Sequence, residues 1–130
     1  MQKSSTANFL ALRNGKVMDI REASLDTNAE IVAFEKHGGE NQLFFIDREI
    51  GWIINVFSRK AVTYDHSSKK IVQQNYCSRI NQQWIFEQYQ SGYIIRSSED
   101  GENVITYSEK EKSLVLQPFT SEDDQLWLIV

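Results

Sequence analysis

Short apolar runs alternate with polar turns along the whole chain, and no stretch sustains a helical period with caps. The runs are rich in β-branched and aromatic residues, as in Trp52-Ile53-Ile54, Ala61-Val62-Thr63-Tyr64 and Val104-Ile105-Thr106-Tyr107. Such side chains suit a pleated, half-buried surface. Turn formers stand between the runs, with Asn14-Gly15 and Asp100-Gly101 the strongest turn signals. The pattern predicts many short strands and no long helix.

The strands fall into three similar sets. Each set ends on a Gln, a spacer and a large aromatic: Gln42-Leu43-Phe44, Gln82-Gln83-Trp84 and Gln125-Leu126-Trp127. The copies lie 40 and 43 residues apart, which marks an internal three-fold repeat. Three predicted strands precede each copy: 9–12, 17–20 and 31–34 in the first, 52–54, 61–64 and 71–74 in the second, 93–95, 104–107 and 114–117 in the third. Pro118 is expected just past a strand, where its missing N–H does little harm.

Four strands per set make about twelve in all, in repeats of approximately 1–47, 48–89 and 90–130. One such unit cannot bury a core alone. Three should close around a pseudo-three-fold axis as a single all-β domain, a β-trefoil with a six-stranded barrel and three hairpin caps. Closure also removes exposed sheet edges. A propeller would need more than three blades. The repeated aromatic is expected to fill the shared core. The repeated Gln is expected to tie loop backbone together while facing outward.

Composition narrows the function classes. A net charge of −4 and scattered Lys and Arg give no basic field for nucleic acid or anionic lipid. No apolar run reaches the length of a membrane span, and Met1-Gln2-Lys3-Ser4-Ser5-Thr6 lacks the apolar stretch of a secretory signal. The expectation is a soluble chain, cytosolic or exported by a non-classical route. The start at Met1 and the final strand at Leu128-Ile129-Val130 suggest a stand-alone domain. Cys77 is the only cysteine and no zinc-type cluster occurs, so neither a disulfide nor a metal or other cofactor is expected. His37 and His66 lie in no nucleophile motif, and no phosphate-binding fingerprint is present, so an enzyme is not expected.

The triplet of Gln-x-aromatic copies resembles the ricin B-type (R-type) lectin family from Phe9 to Val130, with Phe44 where Trp is usual. The resemblance implies a β-trefoil that binds galactose or N-acetylgalactosamine, with one shallow site available per lobe. Its parts are an Asp after the apolar pair of the second strand, an aromatic at the end of the third strand and an Asn before the Gln. A carboxylate accepts charge-assisted hydrogen bonds from sugar hydroxyls. A ring stacks on the apolar face of galactose, and an amide both donates and accepts.

The first repeat carries the whole set: Asp19, Phe34, Asn41 and Gln42, with His37 on the rim. Gly38 and Gly39 would let backbone approach a ligand closely. The second repeat is partial, with Thr63, Gln74, Tyr76 and Asn81 as a weak second site. The third departs further, with Thr106, Gln117 and Asp124. A hydroxyl cannot replace a bidentate carboxylate, and losing a bond to a charged group costs about 1.5–3 kcal/mol.

Each residue also has a structural reading: Asp19 as a turn cap, Phe34 as core, His37 as a solvated loop residue, Asn41 as a cap of the last strand. The complete set in one lobe favours sugar binding over a trefoil that serves protein interaction and has lost its glycans. Shallow sugar sites are weak, so agglutination of cells would need several sites, most simply through a homodimer.

Overall fold

The computed structural model describes residues 6–130; Met1 to Ser5, on which most of the export reading falls, lie outside the described residues. Thirteen strands run through these residues, in three sheets. They are β1 (Ala7–Asn8), β2 (Leu10–Ala11), β3 (Val17–Ile20), β4 (Ile31–Phe34), β5 (Phe44–Asp47), β6 (Trp52–Asn55) and β7 (Ala61–Asp65). There follow β8 (Lys70–Gln74), β9 (Trp84–Tyr89), β10 (Gly92–Ser97), β11 (Asn103–Ser108), β12 (Ser113–Pro118) and β13 (Leu128–Ile129).

The sheets are ordered β1-β5-β6-β7-β8, β12-β11-β10-β9 and β13-β2-β3-β4, all antiparallel. Each therefore joins the Gln-x-aromatic strand of one repeat to the first three strands of the next. The last strand, β13, closes on β2, and Phe9 and Val130 exchange two backbone hydrogen bonds of 3.0 Å. The fold is a β-trefoil, as the repeat implies. Pro118 is the last residue of β12 rather than a residue beyond it. It sits opposite Asn103 at the open end of the ladder, where a missing donor is tolerated.

Side-chain alternation divides each hairpin into two faces. On β3 and β4, Met18, Ile20, Ile31 and Ala33 enter the common core. Val17, Asp19, Val32 and Phe34 occupy the opposite face. Phe44, Trp84 and Trp127 are buried in the core. The two indoles also donate to strand carbonyls, Trp84 Nε1 to Val62 O at 3.0 Å and Trp127 Nε1 to Ile105 O at 3.1 Å. Among the described residues no helix is long and apolar enough to cross a membrane.

The repeated glutamines do not face outward. Gln42, Gln82 and Gln125 close short 3-10 turns and are buried. Their Oε1 atoms accept the backbone N–H groups of His37, Cys77 and Thr120 at 2.9, 2.9 and 2.7 Å. Their Nε2 atoms donate to the carbonyls of Glu35, Asn75 and Pro118, each at 2.8 Å. A primary amide can be buried at this depth only because both ends are satisfied. Each Gln thus ties the loop after the third strand to the core.

Candidate carbohydrate site in the first lobe

The remaining hydrogen of each glutamine distinguishes the lobes. Gln82 Nε2 donates to Thr63 Oγ1 at 3.2 Å and Gln125 Nε2 to Thr106 Oγ1 at 3.1 Å. Gln42 Nε2 donates instead to a carboxylate, Asp19 Oδ2, at 2.8 Å. Asn41 Nδ2 donates to Asp19 Oδ1 at 3.3 Å and to Ile20 O at 3.2 Å. Register places Asp19 opposite Val32, and Phe34 opposite Val17, so Asp19 and Phe34 are diagonal neighbours on one face.

That face opens into a cleft of about 410 Å³ lined by Asp19, Arg21, Glu22, Val32, Phe34 and Asn41, among others. Asp19 is only 4% exposed, whereas Phe34 is 55% exposed. A buried carboxylate beside a solvated ring is not a packing solution, because each residue would be better placed the other way round. Burial pushes the Asp19 carboxyl above its ordinary value of 3.8, and hydrogen bonds from Gln42 and Asn41 and the charges of His37 and Arg21 oppose the rise. An ionised carboxylate has about four acceptor positions. The amides of Asn41 and Gln42 use two, which leaves acceptor capacity facing the cleft.

His37 stands on the rim with its side chain half exposed and Nε2 3.6 Å from Asp19 Oδ2. Gln42 lies behind the carboxylate, where no ligand could touch it, so its place is in orienting Asp19. The wall formed by Arg21, Glu22 and Ala23 was not legible in the sequence. Glu22 and Ala23 have φ of 55° and 52°, the left-handed region, at about 1 kcal/mol or more each. Neither is a Gly or Asn, so no turn signal announces the bend. Gln73 of β8 reaches across and donates to Ser24 O at 3.0 Å and Asp26 O at 2.9 Å, pinning the rest of that loop.

The second-lobe candidates are not gathered around an open carboxylate or hydroxyl. Thr63 is buried, and its hydroxyl donates to Ala61 O at 2.9 Å. Gln74 donates to Asn28 Oδ1 at 2.7 Å and Asn81 to Tyr64 O at 2.9 Å. Tyr76 packs toward Trp52, with ring centroids 6.4 Å apart. Asp124, at the third lobe's Asn position, has a buried Oδ1 without a hydrogen-bond partner. No group of three or more His, Cys, Asp or Glu among the described residues could hold a metal ion.

The family model of the ricin-type β-trefoil lectin domain matches residues 7–127. The chain belongs to this family of carbohydrate-binding domains. No curated protein matches the chain in sequence. Among solved structures, this ricin-type domain is similar to the designed three-fold symmetric protein ThreeFoil. That match has 21% identity and a TM-score of 0.85 and covers 95% of this chain and 97% of the other. The C-half of the earthworm R-type lectin, solved in complex with GalNAc, is 20% identical, with a TM-score of 0.78 over 95% of this chain and 96% of that one. An exo-β-1,3-galactanase from Clostridium thermocellum contains a similar domain, 27% identical with a TM-score of 0.82; it covers all of this chain and 31% of the enzyme.

Proposed function

We propose that the first-lobe cleft binds terminal galactose or N-acetylgalactosamine on cell-surface glycans, as a lectin with no catalysis of its own. The observation that carries this reading is the Asp19 carboxylate, buried yet held by two amides with its free acceptor positions toward the cleft and Phe34 beside it. Asp19 would accept two neighbouring sugar hydroxyls. Phe34 would stack on the C–H face that the axial 4-hydroxyl of galactose leaves apolar. His37 and Asn41 would read hydroxyls at the rim. The earthworm relative's complex with GalNAc lends support to this choice of sugar.

Affinity for one sugar should be weak, about −4 to −8 kcal/mol, because hydroxyls exchange water partners for protein ones. Agglutination then requires linked sites, and a homodimer supplies two. A glycan array and calorimetry with lactose test the reading. Lactose binding lost in Asp19→Ala supports it. Failure of the unaltered chain to bind any galactoside overturns it and leaves the protein-interaction reading. Sedimentation of an agglutinating preparation as a monomer overturns the dimer.

A further inference from the structure

We infer that Gly39 is a positioning residue of the first-lobe site, present to hold the His37 imidazole as the Nε2–H tautomer facing Asp19. The inference rests on the proposed function for its binding consequence, while its structural core stands alone. The Gly39 N–H donates to His37 Nδ1 at 3.0 Å. A nitrogen that accepts carries no proton, so in the neutral ring the proton is on Nε2. That nitrogen lies 3.6 Å from Asp19 Oδ2, just beyond a direct hydrogen bond. The rim therefore offers an N–H donor beside a carboxylate acceptor, a pair suited to one hydroxyl that accepts from the ring and donates to Asp19.

Backbone conformation does not require glycine here. Gly39 has φ of −70°, which any residue adopts. The equivalent residues, each preceding the 3-10 turn that ends on the buried Gln, are Arg79 at −73° and Glu122 at −82°. Two lobes thus carry long side chains on the same backbone. Space is what differs. A Cβ on Gly39 would lie 2.8 Å from His37 Cε1, 3.0 Å from His37 Nδ1 and 2.9 Å from Asn41 Oδ1. Both neighbours are site residues. At the His37 position the other lobes carry Cys77 and Thr120, with no ring to accommodate. Gly39 therefore serves the ring, not a ligand's approach to the backbone.

The test is Gly39→Ala in the full chain, read in two ways. Imidazole ¹⁵N spectra at about pH 8, above the ordinary histidine range, report the tautomer directly. The unaltered chain should show His37 as Nε2–H, and Gly39→Ala should lose that signature while its melting temperature holds. Lactose affinity should fall about tenfold, the equivalent of one hydrogen bond. In a His37→Ala background the same substitution should cost clearly less, since the crowded ring is gone. An Nδ1–H tautomer in the unaltered chain overturns the inference, as does a Gly39→Ala protein with unchanged spectrum and affinity. If the unaltered chain binds no galactoside, the proposed function fails, and the tautomer measurement still decides the role of Gly39.

Discussion

Asn41 and Asp124 occupy the same position in the first and third lobes, and their side chains end in opposite hydrogen-bonding states. Asn41 Nδ2 donates to Ile20 O at 3.2 Å, and its second-lobe counterpart, Asn81, donates to Tyr64 O at 2.9 Å. Asp124 has no hydrogen to give when ionised, and its Oδ1 is buried without a partner. Burial and the neighbouring Glu122 and Asp123 charges raise its carboxyl above the ordinary value of 3.8.

Asp124→Asn should therefore stabilise the protein at neutral pH by about 1 kcal/mol, by restoring a donor and removing a desolvated charge. The sign follows from linkage. A raised folded pKa means that Asp124 contributes stability fully present below the unfolded pKa and lost as pH rises through the folded one. The gain should be large at pH 7 and shrink toward pH 3. Urea denaturation of both proteins across that range checks it, and a gain independent of pH would count against the assignment.

Asp19→Thr should separate folding from binding. The substitution copies the other two lobes, in which a Thr hydroxyl receives the buried glutamine at 3.2 and 3.1 Å. Gln42 can bond Oγ1 in the same way, so the melting temperature should hold or rise. Lactose affinity should fall ten- to a hundredfold or more, the equivalent of about 1.5–3 kcal/mol for a hydrogen bond to a charged group. Calorimetry beside thermal unfolding reads both. A stable variant that binds normally would remove Asp19 from the site.

Phe34→Ala should weaken lactose binding about tenfold with little change in stability. The ring is 55% exposed and stands on the face away from the core, so its loss leaves no cavity. Isothermal calorimetry and chemical denaturation make the comparison. A destabilisation above ~2 kcal/mol would show that the ring is structural.

Binding should decline on acidification earlier than an ordinary aspartate would allow. The raised Asp19 carboxyl takes up its proton above 3.8 and then loses acceptor capacity. Its contribution to stability has the opposite sign, being present below the unfolded pKa and lost as pH rises through the folded one. Acid should thus empty the site before it unfolds the lobe. A lactose titration from pH 7 to about pH 4 locates the step. Its persistence in His37→Gln would assign it to the carboxylate.

The three-fold architecture was legible because the Gln-x-aromatic phrase recurs at near-equal spacing and three short apolar runs precede each copy. Asp19, Phe34 and Asn41 were legible as a group only through the family resemblance; the first two lie on β3 and β4, Asn41 lies on the 3-10 turn before β5, and all three line one cleft. The direction of the glutamines was not. Their burial depends on 3-10 turns and on loop N–H groups brought up from five residues earlier, which no local pattern announces. The Arg21–Ala23 wall escaped for a related reason, since its left-handed residues are a Glu and an Ala. Gly39 was visible as a glycine, but its cause was not. Ordinary backbone angles and a folded-back imidazole are both properties of three-dimensional placement.

The sheet that carries Asp19 and Phe34 is completed by β13, whose residues Leu128 and Ile129 pair with Ala11 and Leu10. During synthesis the strands of the first lobe emerge early, yet their sheet stays open until the other two lobes have been made. The lobe that carries the cleft comes first along the chain, and its sheet is the last to close. A chain interrupted anywhere before β13 would leave β2 as a free strand edge, able to recruit another chain's strand in its place.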